Sequence, residues 1–155
     1  MNDVEEISIN KDSISQINSC IPSIPFNGIQ YRGLSGAQLP NRDLVICGGD
    51  TSFYFTNHQY LHYKEGSNHW RKVGTMKKTT IDHSSVWIDG RLLTTGCEQK
   101  YKQTSHHEEF SFDGGVKARK EMPVERWYHT ATIFGQNRII VCGGEDRSVS
   151  QTFSN

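Results

Sequence analysis

Val45-Ile46-Cys47-Gly48-Gly49 returns further along the chain as Ile140-Val141-Cys142-Gly143-Gly144, and between the two stands Leu93-Thr94-Thr95-Gly96-Cys97. The first glycines fall at 48, 96 and 143, in steps of 48 and 47 residues. Two further markers keep nearly the same step: Met76 and Met122 are 46 residues apart, and so are His83 and His129. Self-similarity at a fixed period of this size is the signature of stacked structural units, each unable to bury its apolar face alone.

Working outward from these runs gives the content of one unit. Arg126–Phe134 reads as a first strand, Gly135-Gln136-Asn137 as a turn, and Arg138–Cys142 as a second, apolar strand ended by Gly143-Gly144. The central unit repeats the order. His83–Ile88 leads to Asp89-Gly90, a strong two-residue hairpin signal, then to Arg91–Thr95, a polar loop over 98–106, a third strand at Glu108–Phe112 and a fourth around Val116–Arg119. In the first unit the strands are expected within 31–39, over 43–49, at Gln59–Tyr63 and at His69–Val73, with a loop over 50–58. Four short strands and no helix per period predict an all-β chain of four-stranded antiparallel sheets.

Composition agrees. The 155 residues are 34% apolar with 14 glycines, and the 17 basic residues equal the 17 acidic ones. A neutral chain exerts no global pull on nucleic acid or on an anionic membrane. No run of 18 apolar residues exists, so no helical span is expected. The acidic start, with Asp3, Glu5 and Glu6, does not read as a secretory leader. None of Cys20, Cys47, Cys97 and Cys142 forms a CxxC pair, which favours free thiols and a cytoplasmic setting.

The unit resembles the kelch repeat, whose period is about 50 residues. Gly48-Gly49 and Gly143-Gly144 match that family's double glycine; Tyr63 and Trp70, seven residues on, match its aromatic pair; Met76, Arg126 and His129 match the segments that lead into a blade. The match covers Tyr31–Asn155, about four-fifths of the chain. The middle unit departs, with Gly96-Cys97 for the double glycine and no matching tryptophan, and the first unit opens with Gly33-Leu34-Ser35 in place of Arg and His. The resemblance implies kelch-type β-propeller blades in an incomplete propeller: an N-terminal arm or linker over 1–28, blade 1 over 29–76, a degenerate blade 2 over 77–123, and a partial blade 3 over 124–155. It implies a non-catalytic protein-interaction module, in a ubiquitin-ligase or cytoskeletal context, with self-association through open blade edges as a further expectation. A fragment of a galactose oxidase-like propeller enzyme and a non-functional truncated copy are the alternatives.

Candidate sites follow. Paired glycines at Gly48, Gly49, Gly143 and Gly144, with Gly96 between, suit backbone that needs a positive φ or close approach. Tyr63 and Trp70 are expected to supply large burial between blade faces. His83 and His129 recur at one repeat position, and recurrence argues for structure, since a catalytic residue is needed once. His106-His107-Glu108-Glu109 is the one acidic-imidazole cluster, and neighbours on a strand point to opposite faces. No metal, cofactor or catalytic residue is assigned. Partner contacts are expected on loops after the glycines, through Phe53, Tyr54, Phe55, Lys100, Tyr101, Lys102 and Arg147, because aromatic and arginine side chains are enriched at protein interfaces.

Overall fold

The computed structural model describes residues 6–10, 13–17, 21–25, 31–51, 56–99, 102–146 and 151–152. All of its regular elements are strands. A hairpin of β1 (Glu6–Asn10) and β2 (Ser13–Ile17) comes first. The first large sheet is an antiparallel meander of β3 (Tyr31–Gln38), β4 (Leu44–Thr51), β5 (Gln59–Tyr63) and β6 (Trp70–Thr75). The second repeats it with β7 (Ser84–Ile88), β8 (Arg91–Gln99), β9 (Lys102–Ser111) and β10 (Gly115–Ala118). The third holds β11 (Trp127–Ile133), β12 (Ile139–Asp146) and the short β13 (Gln151–Thr152). The chain is therefore all-β, built on four-stranded antiparallel sheets.

Local chemistry explains the hairpins. Asp89 and Gly90 both take positive φ, 49° and 73°, the pair of values a two-residue turn between twisted strands requires. The polar run over 98–106 does not form the expected long loop. β8 continues through Gln99 and β9 starts at Lys102, pairing Gln99 with Lys102 and Glu98 with Gln103. Polar alternation suits a two-stranded extension as well as it suits a loop, and a register shift between Thr95 and Cys97 absorbs Gly96. The stretch expected as an N-terminal arm or linker, 1–28, carries a strand hairpin. Beyond the β1–β2 hairpin, Ile21 and Ile24 pack against the first sheet.

The sheets stack face to face through their first strands: β3 touches β7, and β7 touches β11. Between the first and second sheets lies a core of Leu39, Val45, Cys47, Tyr60, Met76, Leu92 and Phe110. The Tyr60 and Phe110 rings stack with centroids 4.7 Å apart, above Gly74, where any Cβ would stand 3.2 Å from the Phe110 ring. Burial of each such ring stabilises by roughly 1.5–3 kcal/mol. Tyr63 and Trp70, expected to bury between blade faces, do not pack between the described sheets. They form a second cluster with Leu61 on the far face of the first sheet, covered by Ile21 and Ile24. The Trp70 Nε1–H donates to the Pro22 carbonyl at 2.8 Å, so the N-terminal segment caps that end of the stack.

Candidate functional site

The recurring residues converge on the junctions between sheets. Gly33, Asp82 and Tyr128 stand at one repeat position, and all three take positive φ, 65°, 54° and 51°. The Asp82 amide donates to the Gly33 carbonyl at 3.2 Å, and the Tyr128 amide donates to the Asp82 carbonyl at 3.1 Å. A left-handed residue at or just before the first strand of the second and third sheets thus links each to the sheet before. Glycine adopts this conformation freely; Asp82 and Tyr128 do so at a cost of about 1 kcal/mol each. The residue type varies among the three copies, so no sequence motif marks the position.

The next residue in each copy is Leu34, His83 or His129. His83 Nε2 lies 3.5 Å from the Cys47 thiol sulfur, and its ring fills the space where a Cβ on Gly48 would stand. His129 Nε2 shares a hydrogen bond of 2.9 Å with the Thr95 hydroxyl, and its ring likewise crosses Gly96. Each imidazole therefore reaches back to the residue before the preceding sheet's first glycine, and that glycine is small because the ring lies on it. Burial pushes the His83 pKa down to about 3, with His129 adding to the effect. Burial and then Arg126 push His129 down to about 4. Both rings are neutral at pH 7 and act as packing and hydrogen-bonding groups. Burial raises the Cys47 thiol to about 12, where it holds weak contacts to Ser85 and Thr94 and is no nucleophile.

Glu108 is fully buried at the first junction. Its Oε1 accepts from the Tyr60 hydroxyl at 2.7 Å; its Oε2 lies 3.0 Å from His106 Nε2 and accepts from the Lys77 amide at 3.2 Å. Burial, followed by the charge environment, raises the Tyr60 phenol further, so it remains a donor. Strand alternation sends the neighbouring pair the other way. Glu109 accepts from Arg91 and Arg119, and the Arg119 hydrogen bond, with Arg91 assisting, lowers its pKa. His107 joins it in lining a cleft of 520 Å³ between the second and third sheets, beside Arg91, Arg119, Lys120 and Ile139.

The expected loop contacts fare differently. Phe53, Tyr54, Phe55, Lys100, Tyr101 and Arg147 lie outside the described residues, and Lys102 opens β9. The third sheet supplies a surface that the sequence did not single out. Opposite residues of β11 and β12 place Thr130 with Cys142 and Thr132 with Ile140 on its outward face. Phe134 and Ile140 are exposed; Tyr128 is exposed as well, but its hydroxyl turns back to Asp82. Cys142-Gly143 stands where Cys47-Gly48 and Thr95-Gly96 stand in the earlier sheets, and Gly143 has φ +68° with nothing within 4 Å of its Cβ position among the described residues. The glycine signal was legible; its vacancy depends on three-dimensional stacking.

No family model and no curated protein matches the chain. Among solved structures the chain is similar to the "Structure of YjhT", with a TM-score of 0.69 at 15% sequence identity, over 84% of this chain and 38% of that one. The chain thus spans well under half the length of that neighbour. The likeness is one of fold: a propeller-like arrangement of antiparallel β-sheets.

Proposed function

We propose that the chain is a run of kelch-type propeller blades that works as a non-catalytic protein-interaction module. One observation carries the reading. The device that locks each sheet onto the one before is used at Gly48 and Gly96, and it recurs on the third sheet at Cys142-Gly143, unfilled among the described residues, on the face that carries exposed Phe134 and Ile140. Exposed apolar residues on a face already shaped for sheet stacking favour protein contact. Phe53, Tyr54, Phe55, Lys100, Tyr101, Lys102 and Arg147, which follow the glycines in sequence, are proposed as further partner contacts, and a cytoplasmic setting, in which Cys47 and Cys142 remain thiols, belongs to the same proposal. Light scattering coupled to gel filtration, with alkylation of Cys142 followed on the same peak, tests the proposal. A defined complex, with itself or with a protein captured as a stoichiometric partner, should slow Cys142 alkylation severalfold. A monodisperse monomer whose Cys142 reacts equally fast under all conditions argues against it.

A further inference from the structure

The far face of the first sheet is the counterpart of a face that the second sheet uses for stacking. On the second sheet, Leu92, Thr94, Glu108 and Phe110 meet the first sheet, in the cross-strand pairs Leu92–Phe110 and Thr94–Glu108. Counted back from Gly48 as these are from Gly96, the same positions on the first sheet hold Leu44 paired with Tyr63 and Ile46 paired with Leu61. Trp70 stands beside Tyr63 as Val116 stands beside Phe110. This is the face on which a preceding sheet would stack.

Its chemistry differs from that of the stacked face. His83 reaches the Cys47 sulfur, Thr94 lies 3.8 Å from the same atom, and Glu108 accepts from the Tyr60 hydroxyl and the Lys77 amide. Leu34, Ile46 and Leu61 stand in their places, and none has a polar side chain. A further sheet with a hydroxyl at the Tyr60 position would bury it against leucine, which is unfavourable without an acceptor. The occupant is instead Ile21-Pro22-Ser23-Ile24-Pro25. Ile21 and Ile24 pack on Leu61, Tyr63 and Trp70, while Ser23 and Pro25 are exposed. The seal is close, since Leu61 and Tyr63 keep only 2% and 4% exposure. Pro22 and Pro25 lack backbone donors, and the Trp70 indole takes the Pro22 carbonyl. The segment therefore brings few polar groups that an apolar face would leave unpaired.

We propose that the far face of the first sheet is a docking surface for an extended apolar segment with two aliphatic side chains three residues apart, and that residues 21–25 are its resident occupant, an autoinhibitory strap. While the strap is seated, no partner reaches Leu61, Tyr63 and Trp70. When it lifts, the seat takes a segment of the same chemistry from outside. Tethering within one chain gives the strap a high effective concentration, so a free segment competes poorly with it. The seat lies at the other end of the stack from Gly143, so it stands or falls apart from the interaction surface proposed above.

A fluorescein-labelled peptide with the sequence of residues 18–27, carrying Cys20→Ser, is titrated with the full chain and followed by anisotropy. The chain with Ile21→Ser and Ile24→Ser, whose strap has lost both anchors, should bind the peptide saturably and about tenfold or more tightly than wild type does. Placing Ile24→Ser in the peptide should weaken its binding to that variant by about tenfold. Both changes in the chain lie outside the three large sheets, and circular dichroism checks that these are kept. Ile24→Ser alone is the milder variant and should give an intermediate gain; it decides by the same criteria if the double variant loses its β-type dichroism. Equal binding to wild type and variant overturns the proposal, and so does absence of binding to a folded variant. A strap variant that gains mass by light scattering while ignoring the peptide also overturns it, because the seat then prefers a second copy. Protection of Cys142 in a complex reads the third sheet alone, so the module reading is judged separately.

Discussion

Replacing His83 by leucine should make the protein less sensitive to mild acid. Leucine is the residue that the first sheet already uses at this repeat position, as Leu34, so the change is compatible with the local backbone. Buried His83 has a folded pKa of about 3 against 6.5 for the ordinary imidazole. As pH falls below about 6.5, the unfolded chain takes up a proton at this ring and the folded chain does not. Stability is therefore full above that pH and is lost progressively towards about pH 3. One pKa unit corresponds to about 1.4 kcal/mol, so at pH 5 the loss from His83 alone is about 2 kcal/mol. For a chain of this size that is a fall in Tm of roughly 4–8 °C. Asp43 and Glu109, whose pKa values are lowered, lose their contributions only near or below ordinary carboxylate values of 3.8 and 4.5, so the window from pH 7 to 5 isolates imidazole. Thermal melts by circular dichroism at both pH values, for wild type and H83L, measure the effect. The variant should keep a Tm at pH 7 close to the wild type, because only a weak sulfur contact is lost, and its acid shift should shrink by several degrees. An unchanged acid shift in H83L would refute the buried neutral imidazole.

Other outcomes follow from the same geometry. H129L should reduce the acid shift in the same direction but less, since that ring is held down less far, to about 4. Gly96→Ala should be severely destabilising, because its Cβ would stand 2.4 Å from the Arg126 carbonyl and 2.6 Å from the His129 ring; Gly143→Ala should cost only the left-handed backbone strain, about 1–2 kcal/mol, and urea titration of both separates clash from strain. Tyr60→Phe leaves the buried Glu108 short of one donor and should cost about 1–3 kcal/mol, whereas a loss below about 0.5 kcal/mol by the same titration would mean that the hydroxyl is not bonded. Trp70→Phe removes the bond to the Pro22 carbonyl, and limited proteolysis should then cut within 18–30 sooner than in wild type.

The repeat was legible because it is written in residues whose chemistry is narrow. Glycine at 48, 96 and 143 and histidine at 83 and 129 mark the two sides of one contact, and Asp89-Gly90 announces its hairpin. The second element of the junction was invisible, because a left-handed residue can be Gly33, Asp82 or Tyr128 when an inter-sheet hydrogen bond holds it. The β8–β9 extension was hidden by polar side chains, which do not distinguish a loop from a pair of strands running past the end of the stack. Tyr63 and Trp70 were recognised as buried anchors, but which surface they bury against depends on Ile21, Pro22 and Ile24, distant in sequence and without a repeat of their own.

The amide-to-carbonyl links through Gly33, Asp82 and Tyr128 always run from the later sheet to the earlier one. The stack is therefore a vector, with donor ends and acceptor ends that differ. Two copies meeting by their third sheets about a two-fold axis would bring carbonyl towards carbonyl, and cannot continue the series. Growth by this contact is head-to-tail, which yields a ring if the rotation per sheet closes and an open-ended fibre if it does not.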